Sequence, residues 1–329
     1  MTYSRTRILA LGTFFLPVLA LAHTRWFAHS DLPSYHTNEP TALYISLWGV
    51  LALVIVVIGA FLERKKLLQL SFLLPKRENA FARATGTFTV TVGAFFLIAG
   101  THEYLFSPNL TPAAGIPYVL IIVQILAGLT FLVGVYTRVA AVLLAAVWAL
   151  AFYSAGVVAM LEDVWVLGTA LFVFIVGSDY LSLVPRKALA NITHRYQEYT
   201  LPILRLGTGT TLFVLGFSEK ILRPELGINF LSEYHWNFMQ NLGFAWYSDY
   251  LFTISAGAVE SLIGLIFILG IITRLNTLVL AIFFTIPMFI LGPIELAGHL
   301  PHFAAVLLLL LFGGGNRLKL FSNRVPAHH

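Results

Sequence analysis

Long apolar runs alternate with short polar segments along most of the chain. Several runs stay apolar for about 20 residues, the length of an α-helix that crosses a bilayer. None alternates with the period of two residues that is typical of outer-membrane barrel strands. The pattern therefore predicts an all-α polytopic membrane protein. Its nine predicted membrane-spanning helices are 42–62, 85–105, 117–136, 139–160, 164–183, 201–222, 252–272, 275–292 and 301–314.

Basic residues are concentrated at one end of these predicted helices. They occur in the segments 63–66, 75–77, 185–195 and 316–324. Because cytoplasmic loops of membrane proteins carry an excess of Lys and Arg, this end is predicted to face the cytoplasm of a bacterial-type inner membrane. Seven of the ten histidines and many acidic residues lie at the other end. Any chemistry is therefore expected at the periplasmic face.

The segment 1–22 combines the basic stretch MTYSRTR, an apolar run and the ending Ala20-Leu21-Ala22. This combination is typical of a secretory signal peptide, with a short uncleaved anchor as the alternative. Residues 23–41 would then form a periplasmic segment, and 42–62 an extra transmembrane helix. Cleavage after Ala22 would let His23 offer both its α-amine and its imidazole to one metal ion. With His29 nearby, this arrangement resembles a histidine brace for copper.

Two pairs of segments reveal an internal repeat. AGTHEYLFSPNL (99–110) matches LGFSEKILRPEL (215–226), with Gly100 aligned on Gly216. VQILAGLTFLVGVYTR (123–138) matches VESLIGLIFILGIITR (259–274), with Arg138 aligned on Arg274. The spacing between the two matched segments is longer in the second copy, which therefore contains an insertion.

The repeat predicts two four-helix units, residues 85–183 and residues 201–318. An even number of spans in each unit gives both copies the same orientation in the membrane, which makes this a parallel duplication. The extra residues of the second copy fall in NFLSEYHWNFMQNLGFAWYSDY (229–250), which we call the aromatic insertion. The predicted architecture is thus two parallel-repeat four-helix bundles plus an extra N-terminal transmembrane helix and a signal segment.

One carboxylate lies inside a predicted span. Glu260 is about eight residues into its helix, at a depth of about 12 Å. An ionisable group there costs at least ~2.5 kcal/mol and is usually functional, although a carboxyl that bonds a neighbouring helix is the alternative. Its equivalent in the first unit is Gln124, which cannot titrate. The second unit is therefore predicted to be the working one, with Glu260, Glu219 and Lys220 as catalytic candidates.

Lys220 and the aromatic insertion are the candidates for binding a cofactor. A buried Lys220 would suit an anion or a quinone carbonyl, whereas an ion pair at a helix end is the structural alternative. Trp236, Trp246 and Tyr247 of the insertion are predicted to cover a lipidic ligand. Interfacial aromatic belting is the alternative for these three residues.

Histidines supply the candidate metal ligands. His299 and His302 are three residues apart, and His102 lies at a matching helix end of the first unit. With His23 and His29, they are predicted to bind copper or haem. A helix cap or a helix–helix contact is the alternative role for each imidazole.

The composition excludes several classes of cofactor site and of protein. The 329 residues include no cysteine, so thiolate metal sites and ordinary Fe–S clusters are excluded. No glycine loop opens a helix after a strand, so neither NAD nor flavin is expected. Only 11% of the residues are charged, against roughly 25% in soluble domains. The net charge of +5 reflects basic cytoplasmic loops, so the predicted partner is the lipid bilayer and not nucleic acid.

The segments RLGTGTTLFVLGFSEKILRPEL (205–226) and GAVESLIGLIFILGIITR (257–274) resemble the DoxX family of small four-helix membrane proteins. The residues that carry the resemblance are Arg205-Leu206-Gly207, Gly216, Lys220, Pro224, Glu260, Gly264, Gly270 and Thr273-Arg274. The first unit follows only through the internal repeat. The resemblance implies a four-helix bundle in the cytoplasmic membrane and an association with quinone-linked oxidoreductases. The duplication, the N-terminal extension and the aromatic insertion are departures from the family pattern.

The leading hypothesis is a membrane redox component that exchanges electrons or protons with a quinone at the periplasmic face, together with a periplasmic or membrane redox partner. The first alternative is a periplasmic copper-handling protein without turnover. The second is a passive permease or an assembly partner for other membrane proteins. Because no motif supplies a complete catalytic constellation, the sequence leaves open whether the protein is an enzyme.

Overall fold

The computed structural model describes residues 37–177, 190–291 and 293–321. Within these residues the regular elements are helices and no β-sheet forms, which confirms the prediction of an all-α polytopic membrane protein. The signal segment 1–22 lies outside the described residues, as do His23 and His29. The predictions made for them therefore stay predictions.

The helices are numbered here in chain order. They are α1 (Thr41–Arg64), α2 (Ala80–Thr101), α3 (Tyr118–Val133), α4 (Thr137–Glu162), α5 (Val164–Val176), α6 (Ala190–Tyr196), α7 (Thr200–Leu215), α8 (Pro224–Tyr234), α9 (Phe238–Asn241), α10 (Asp249–Leu269), α11 (Thr273–Leu291) and α12 (Pro293–Phe312). A π-helical turn, Gly216–Ile221, continues α7. Each of the nine predicted spans overlaps one of these helices.

The helices differ in length more than the apolar pattern suggests. Among the described residues, five helical segments are long and apolar enough to cross a membrane: Thr41–Arg64, Ala80–Thr101, Thr137–Glu162, Asn191–Ile221 and Asp249–Leu269. Two of the other four predicted spans contain shorter helices, α3 with 16 residues and α5 with 13. One of these helices, α5, is followed by Gly177, whose φ of 72° is readily adopted only by glycine. The α5 helix is therefore shorter than its predicted span.

Two names describe the ends of the helix bundle. The acidic end comprises the segments 102–117 and 222–248 together with the turn at Asp163. The basic end comprises 65–79 and 313–321 together with the short turns that join α3 to α4 and α10 to α11. The chain passes from one end to the other along each long helix. By their places in these helices, the candidate catalytic and metal-binding residues that the structure describes lie nearer the acidic end.

The two halves of the chain are packed into one another. The last helix of each predicted unit packs against the first helix of the other unit, α5 on α7 and α12 on α2. Gly168 and Gly207 allow the α5–α7 contact, since a methyl group on either would lie 2.9 Å from the other Cα. Ala304 and Leu308 of α12 belong to the hydrophobic core formed mainly by the first half. The sequence left the packing of the two units open, and the structure shows a shared core.

The same close helix crossing occurs in both halves. In the first, a methyl group on Gly93 would lie 2.8 Å from the carbonyl oxygen of Gly128. In the second, a methyl group on Gly209 would lie 2.9 Å from the carbonyl oxygen of Gly264. The internal repeat aligns Gly93 with Gly209 and Gly128 with Gly264. Small residues of this kind let two membrane helices approach closely.

Two arginines at the basic end make equivalent contacts. The Arg138 guanidinium donates to the carbonyl oxygen of Phe174 at 2.9 Å, and that of Arg274 donates to Leu310 at 3.2 Å. The internal repeat aligns the two donors with each other, and it also aligns the two acceptors. Each arginine satisfies carbonyl groups at the C-terminal end of a helix, where positive charge is favoured. The same arginine–carbonyl contact therefore occurs at equivalent positions of the internal repeat.

Candidate functional site

The segment with Glu219 and Lys220 has an unusual backbone. After α7, residues Gly216–Ile221 form a π-helical turn. At the equivalent place in the first half, α2 ends at Thr101 and the chain turns away through Glu103, whose φ is 62°. π-turns inside helices are rare and are frequent at functional sites. The two halves therefore differ where the sequence predicts the working residues.

The π-turn brings Lys220 onto Glu260 of α10. The Lys220 Nζ lies 2.6 Å from the Glu260 Oε2, and the two side chains are 20% and 9% exposed. Gly257 makes room for this contact, because a methyl group there would lie 2.7 Å from the Lys220 Cβ. Two of the three predicted catalytic residues thus form a largely buried ion pair. An ion pair removed from water is stable only when its geometry and hydrogen bonds are good.

In the first half, the residues equivalent to Lys220 and Glu260 also contact each other, but neither is charged. The fully buried amide of Gln124 donates from its Nε2 to the carbonyl oxygen of Tyr104 at 3.0 Å. Its Oε1 accepts the backbone N–H of Phe106 at 2.9 Å. Tyr104 is the counterpart of Lys220, and Gln124 that of Glu260. The first half thus uses this contact to hold a loop, whereas the second half places a titratable pair there.

Glu219 faces the junction between the two halves. Its side chain is buried, and the neighbouring Ser218 Oγ donates to the Glu162 Oε1 at the end of α4 at 2.6 Å. Glu162 and the next residue, Asp163, are also buried. The π-turn therefore joins the second half to the α4–α5 turn of the first. The third predicted catalytic residue belongs to this junction, beside the Lys220–Glu260 pair.

Asp163, in the turn between α4 and α5, is a buried carboxyl that the sequence analysis did not select as a site residue. Its Oδ2 accepts from the Ser107 Oγ at 2.6 Å, and its Oδ1 from the Trp165 Nε1 at 3.1 Å. Burial raises its pKa to about 7; hydrogen bonds from Ser107 and Trp165 oppose the rise, and Glu162 and Glu219 add to it. The Asp163 carboxyl thus gains or loses its proton near neutral pH.

This pKa predicts a pH dependence of stability. A carboxyl whose pKa is higher in the folded than in the unfolded chain favours folding most when both states are protonated. The free energy of unfolding should therefore be highest near pH 4, fall as the pH rises to about 7 and then level off. Melting temperatures of the detergent-solubilised protein between pH 4 and pH 8 test this expectation. Asp163→Asn should flatten the curve, and equal slopes in the variant and the parent would contradict the raised pKa.

The candidate metal ligands lie among aromatic rings. His299 and His302 of α12 are buried, with ring centroids 6.1 Å apart. The Phe284 ring lies 4.5 Å from that of His299, and the Trp165 ring 5.7 Å from that of His302. The α12 helix thus carries both imidazoles into the junction between the halves. Their described surroundings are those of packed side chains at a helix interface.

His102 occupies a different place. Its Nδ1 lies 2.9 Å from the carbonyl oxygen of Ile98, and its ring stacks on Tyr104. In the part of the chain that the structure describes, no three His, Asp or Glu residues are grouped so that they could hold a metal ion. A metal site that includes His23 and His29 stays a prediction, because those two residues are outside that part.

One serine of α10, Ser255, joins the aromatic insertion to α1. The Tyr247 hydroxyl donates to the Ser255 Oγ at 2.6 Å, and the Trp48 Nε1 of α1 donates to the same oxygen at 3.0 Å. Trp246 is 71% exposed, and Trp236 packs against Phe230. Of the three predicted cofactor-binding aromatics, Tyr247 is thus joined to α10, the helix that carries Glu260.

Arg205 is a second residue that the sequence analysis did not select as a site residue. It is fully buried in α7 and donates to the carbonyl oxygens of Phe267, Ile268, Gly314 and Leu318. These contacts tie α7 to the C-terminal end of α10 and to the C-terminal segment. The sequence feature that could have identified Arg205 is its position as a charged residue inside the apolar run TLPILRLG. Arg205 thus holds the first half of α7 against the C-terminal end of α10, the helix that carries Glu260.

These observations define an integral membrane helical protein with an ion pair held between two of its helices. Residues 84–159 match the family model for DoxX, so this part of the chain belongs to the DoxX family. The family assignment made from the sequence is thereby confirmed, although the match falls on the first half and the resemblance was drawn from the second. No curated protein and no solved structure matches this chain.

Proposed function

We propose that this DoxX-family protein is a membrane redox component that binds a quinone at the Lys220–Glu260 pair and exchanges protons with it. The proposal rests on the ion pair itself, 2.6 Å long and carried by a π-turn in the second half. We further propose that this site opens toward the periplasmic face of a bacterial inner membrane. The charge distribution of the sequence supports that orientation, since the basic segments collect at the opposite end.

The chemistry of the pair suits a quinone. A lysine ammonium has three N–H donors, so Lys220 can bond Glu260 and still donate to a carbonyl oxygen. Reduction of a quinone to a quinol consumes two electrons and two protons. A partner oxidoreductase would supply the two electrons. Glu260, an ion-paired carboxylate at rest, would take up one proton at a time from water at the acidic end and pass it to a carbonyl oxygen, twice for each quinone. The contribution of this chain would be binding and proton transfer.

The surroundings of Lys220 favour a lipophilic ligand. Phe217 in the π-turn and Leu222, the residue that follows the turn, are 42% and 68% exposed. In a membrane-spanning segment such exposed apolar side chains face lipid. A ligand dissolved in the bilayer could therefore reach the partly exposed Lys220 from the side. Glu219 and the Ser218 that bonds Glu162 lie on the same π-turn as Lys220.

A binding measurement with a short-chain ubiquinone tests the proposal. The full-length protein in detergent should bind this quinone, and Lys220→Met combined with Glu260→Met should weaken binding at least tenfold. This double variant removes both charges together, so it is expected to fold. Glu225→Gln, at the partly exposed Arg223–Glu225 pair, is the matched control and should bind as the parent does. Parent-like binding by the double variant would refute the proposal. The copper alternative includes His23 and His29, which lie outside the described residues.

A further inference from the structure

The loop between α1 and α2 exposes large apolar side chains at the basic end. We call residues 65–79 the basic-end loop. Leu67, Leu68 and Leu74 are each about half exposed, and Phe72 is 79% exposed. The loop follows directly after α1, whose exposed Phe61 belongs to a membrane-spanning helix. An apolar surface thus continues from the span to the loop.

The basic-end loop is held in place by hydrogen bonds. The Arg274 guanidinium donates to the backbone carbonyl of Gln69 at 3.2 Å, and the Gln69 side chain donates to the Glu63 carboxylate at 3.1 Å. A single 3₁₀ turn, Ser71–Leu73, follows and packs near α12. The exposed position of Phe72 is therefore built into the loop.

Cations surround these apolar side chains. Lys65, Lys66, Lys76 and Arg77 are exposed, and Glu78 is the acidic residue of the loop. The nearby Glu63 does not offset them, because it accepts from Lys319 at 3.3 Å and from the backbone N–H of Ile272 at 3.0 Å. The loop therefore combines an excess of positive charge with fixed apolar groups.

We propose that the basic-end loop is a binding site for anionic phospholipids. The cations would bind the phosphate groups, and Phe72 with its neighbouring leucines would enter the boundary of the acyl chains. Basic residues beside exposed apolar ones are the usual composition of a segment that lies in the interface of an anionic membrane. A free phosphate ion would bind the cations and leave the apolar side chains exposed, whereas a phospholipid would contact both. The phosphate group in this proposal is therefore that of a lipid. This proposal is independent of the quinone site.

Retention of lipid tests the site. The full-length protein is placed in nanodiscs of phosphatidylcholine with increasing phosphatidylglycerol, and bound lipid is measured by native mass spectrometry. We expect preferential retention of phosphatidylglycerol. At about 1 kcal/mol for each surface cation, Lys65→Gln combined with Lys66→Gln should reduce its affinity by at least tenfold. Phe72→Ser should also weaken retention, with an unchanged dependence on salt.

The controls separate a lipid site from a general effect of charge. Arg195→Gln combined with Arg317→Gln removes two cations at the same end of the bundle and should change retention less than threefold. Loss of retention in this variant equal to that in the Lys65/Lys66 variant would overturn the proposal. So would equal stabilisation by inorganic phosphate in neutral nanodiscs, because the site would then bind the anion and not the lipid. Unchanged retention after Phe72→Ser would likewise contradict a role for the apolar side chains.

Discussion

Lys220→Met is expected to lower the free energy of unfolding by about 3–5 kcal/mol, because it leaves the Glu260 carboxylate buried without its cation. Glu260 is 9% exposed on α10 and its ion pair with Lys220 is 2.6 Å long. Replacing both residues by methionine should restore most of the loss, since a buried pair exchanged for apolar side chains of similar volume is often neutral or stabilising. Chemical unfolding of the detergent-solubilised single and double variants measures both effects.

The Arg223–Glu225 pair provides the comparison. Its atoms are 3.2 Å apart, and the Arg223 side chain is 38% exposed. Pairs with this exposure contribute about 0–1 kcal/mol, so Glu225→Gln should leave stability almost unchanged. A loss below about 1 kcal/mol for Lys220→Met would mean that Glu260 is not held as a carboxylate by Lys220. In that case the proton-transfer role proposed for Glu260 would lose its basis.

Periodicity and charge were sufficient to predict the helices and the position of Glu260. An ionisable group inside an apolar run has few stable environments, so its burial against a partner helix could be expected from the sequence. The internal repeat added the comparison with Gln124, and the structure places both residues at equivalent contacts. The family assignment was made from residues of the second half, Glu260 among them, and the family match falls on the half that contains Gln124.

Other features depend on the backbone and on long-range packing. The π-turn at Gly216–Ile221 is a local widening of the helix, and no side-chain pattern encodes it directly. Asp163 was one acidic residue among several in a loop, and only its burial beside Ser107 and Trp165 distinguishes it. The sequence also did not predict that α5 packs on α7 of the second half and α12 on α2 of the first. Both helices are apolar enough to pack against either half.

Gly264→Ala is expected to be the most disruptive of the glycine substitutions in the helix crossings. A methyl group on Gly264 would lie 2.5 Å from the carbonyl oxygen of Gly209 and would also meet the backbone nitrogen of Phe213. Because these are backbone atoms, α7 and α10 must separate, at a cost of about 1–3 kcal/mol or more. At the equivalent Gly128 the nearest atom would be 2.9 Å away, so Gly128→Ala should cost less. Thermal unfolding of the two variants measures the difference.

The separation of α7 and α10 also has a consequence for the site. Lys220 continues α7 and Glu260 belongs to α10, so Gly264→Ala should lengthen their ion pair and weaken quinone binding together with stability. Gly49→Ala is the control, because Gly49 has no neighbouring atom within 4 Å of an added methyl group. It lies in α1, where alanine favours the helix by up to about 1 kcal/mol, and quinone binding should not change. Equal stability of Gly264→Ala and Gly128→Ala would show that the crossing in the second half is no closer than that in the first.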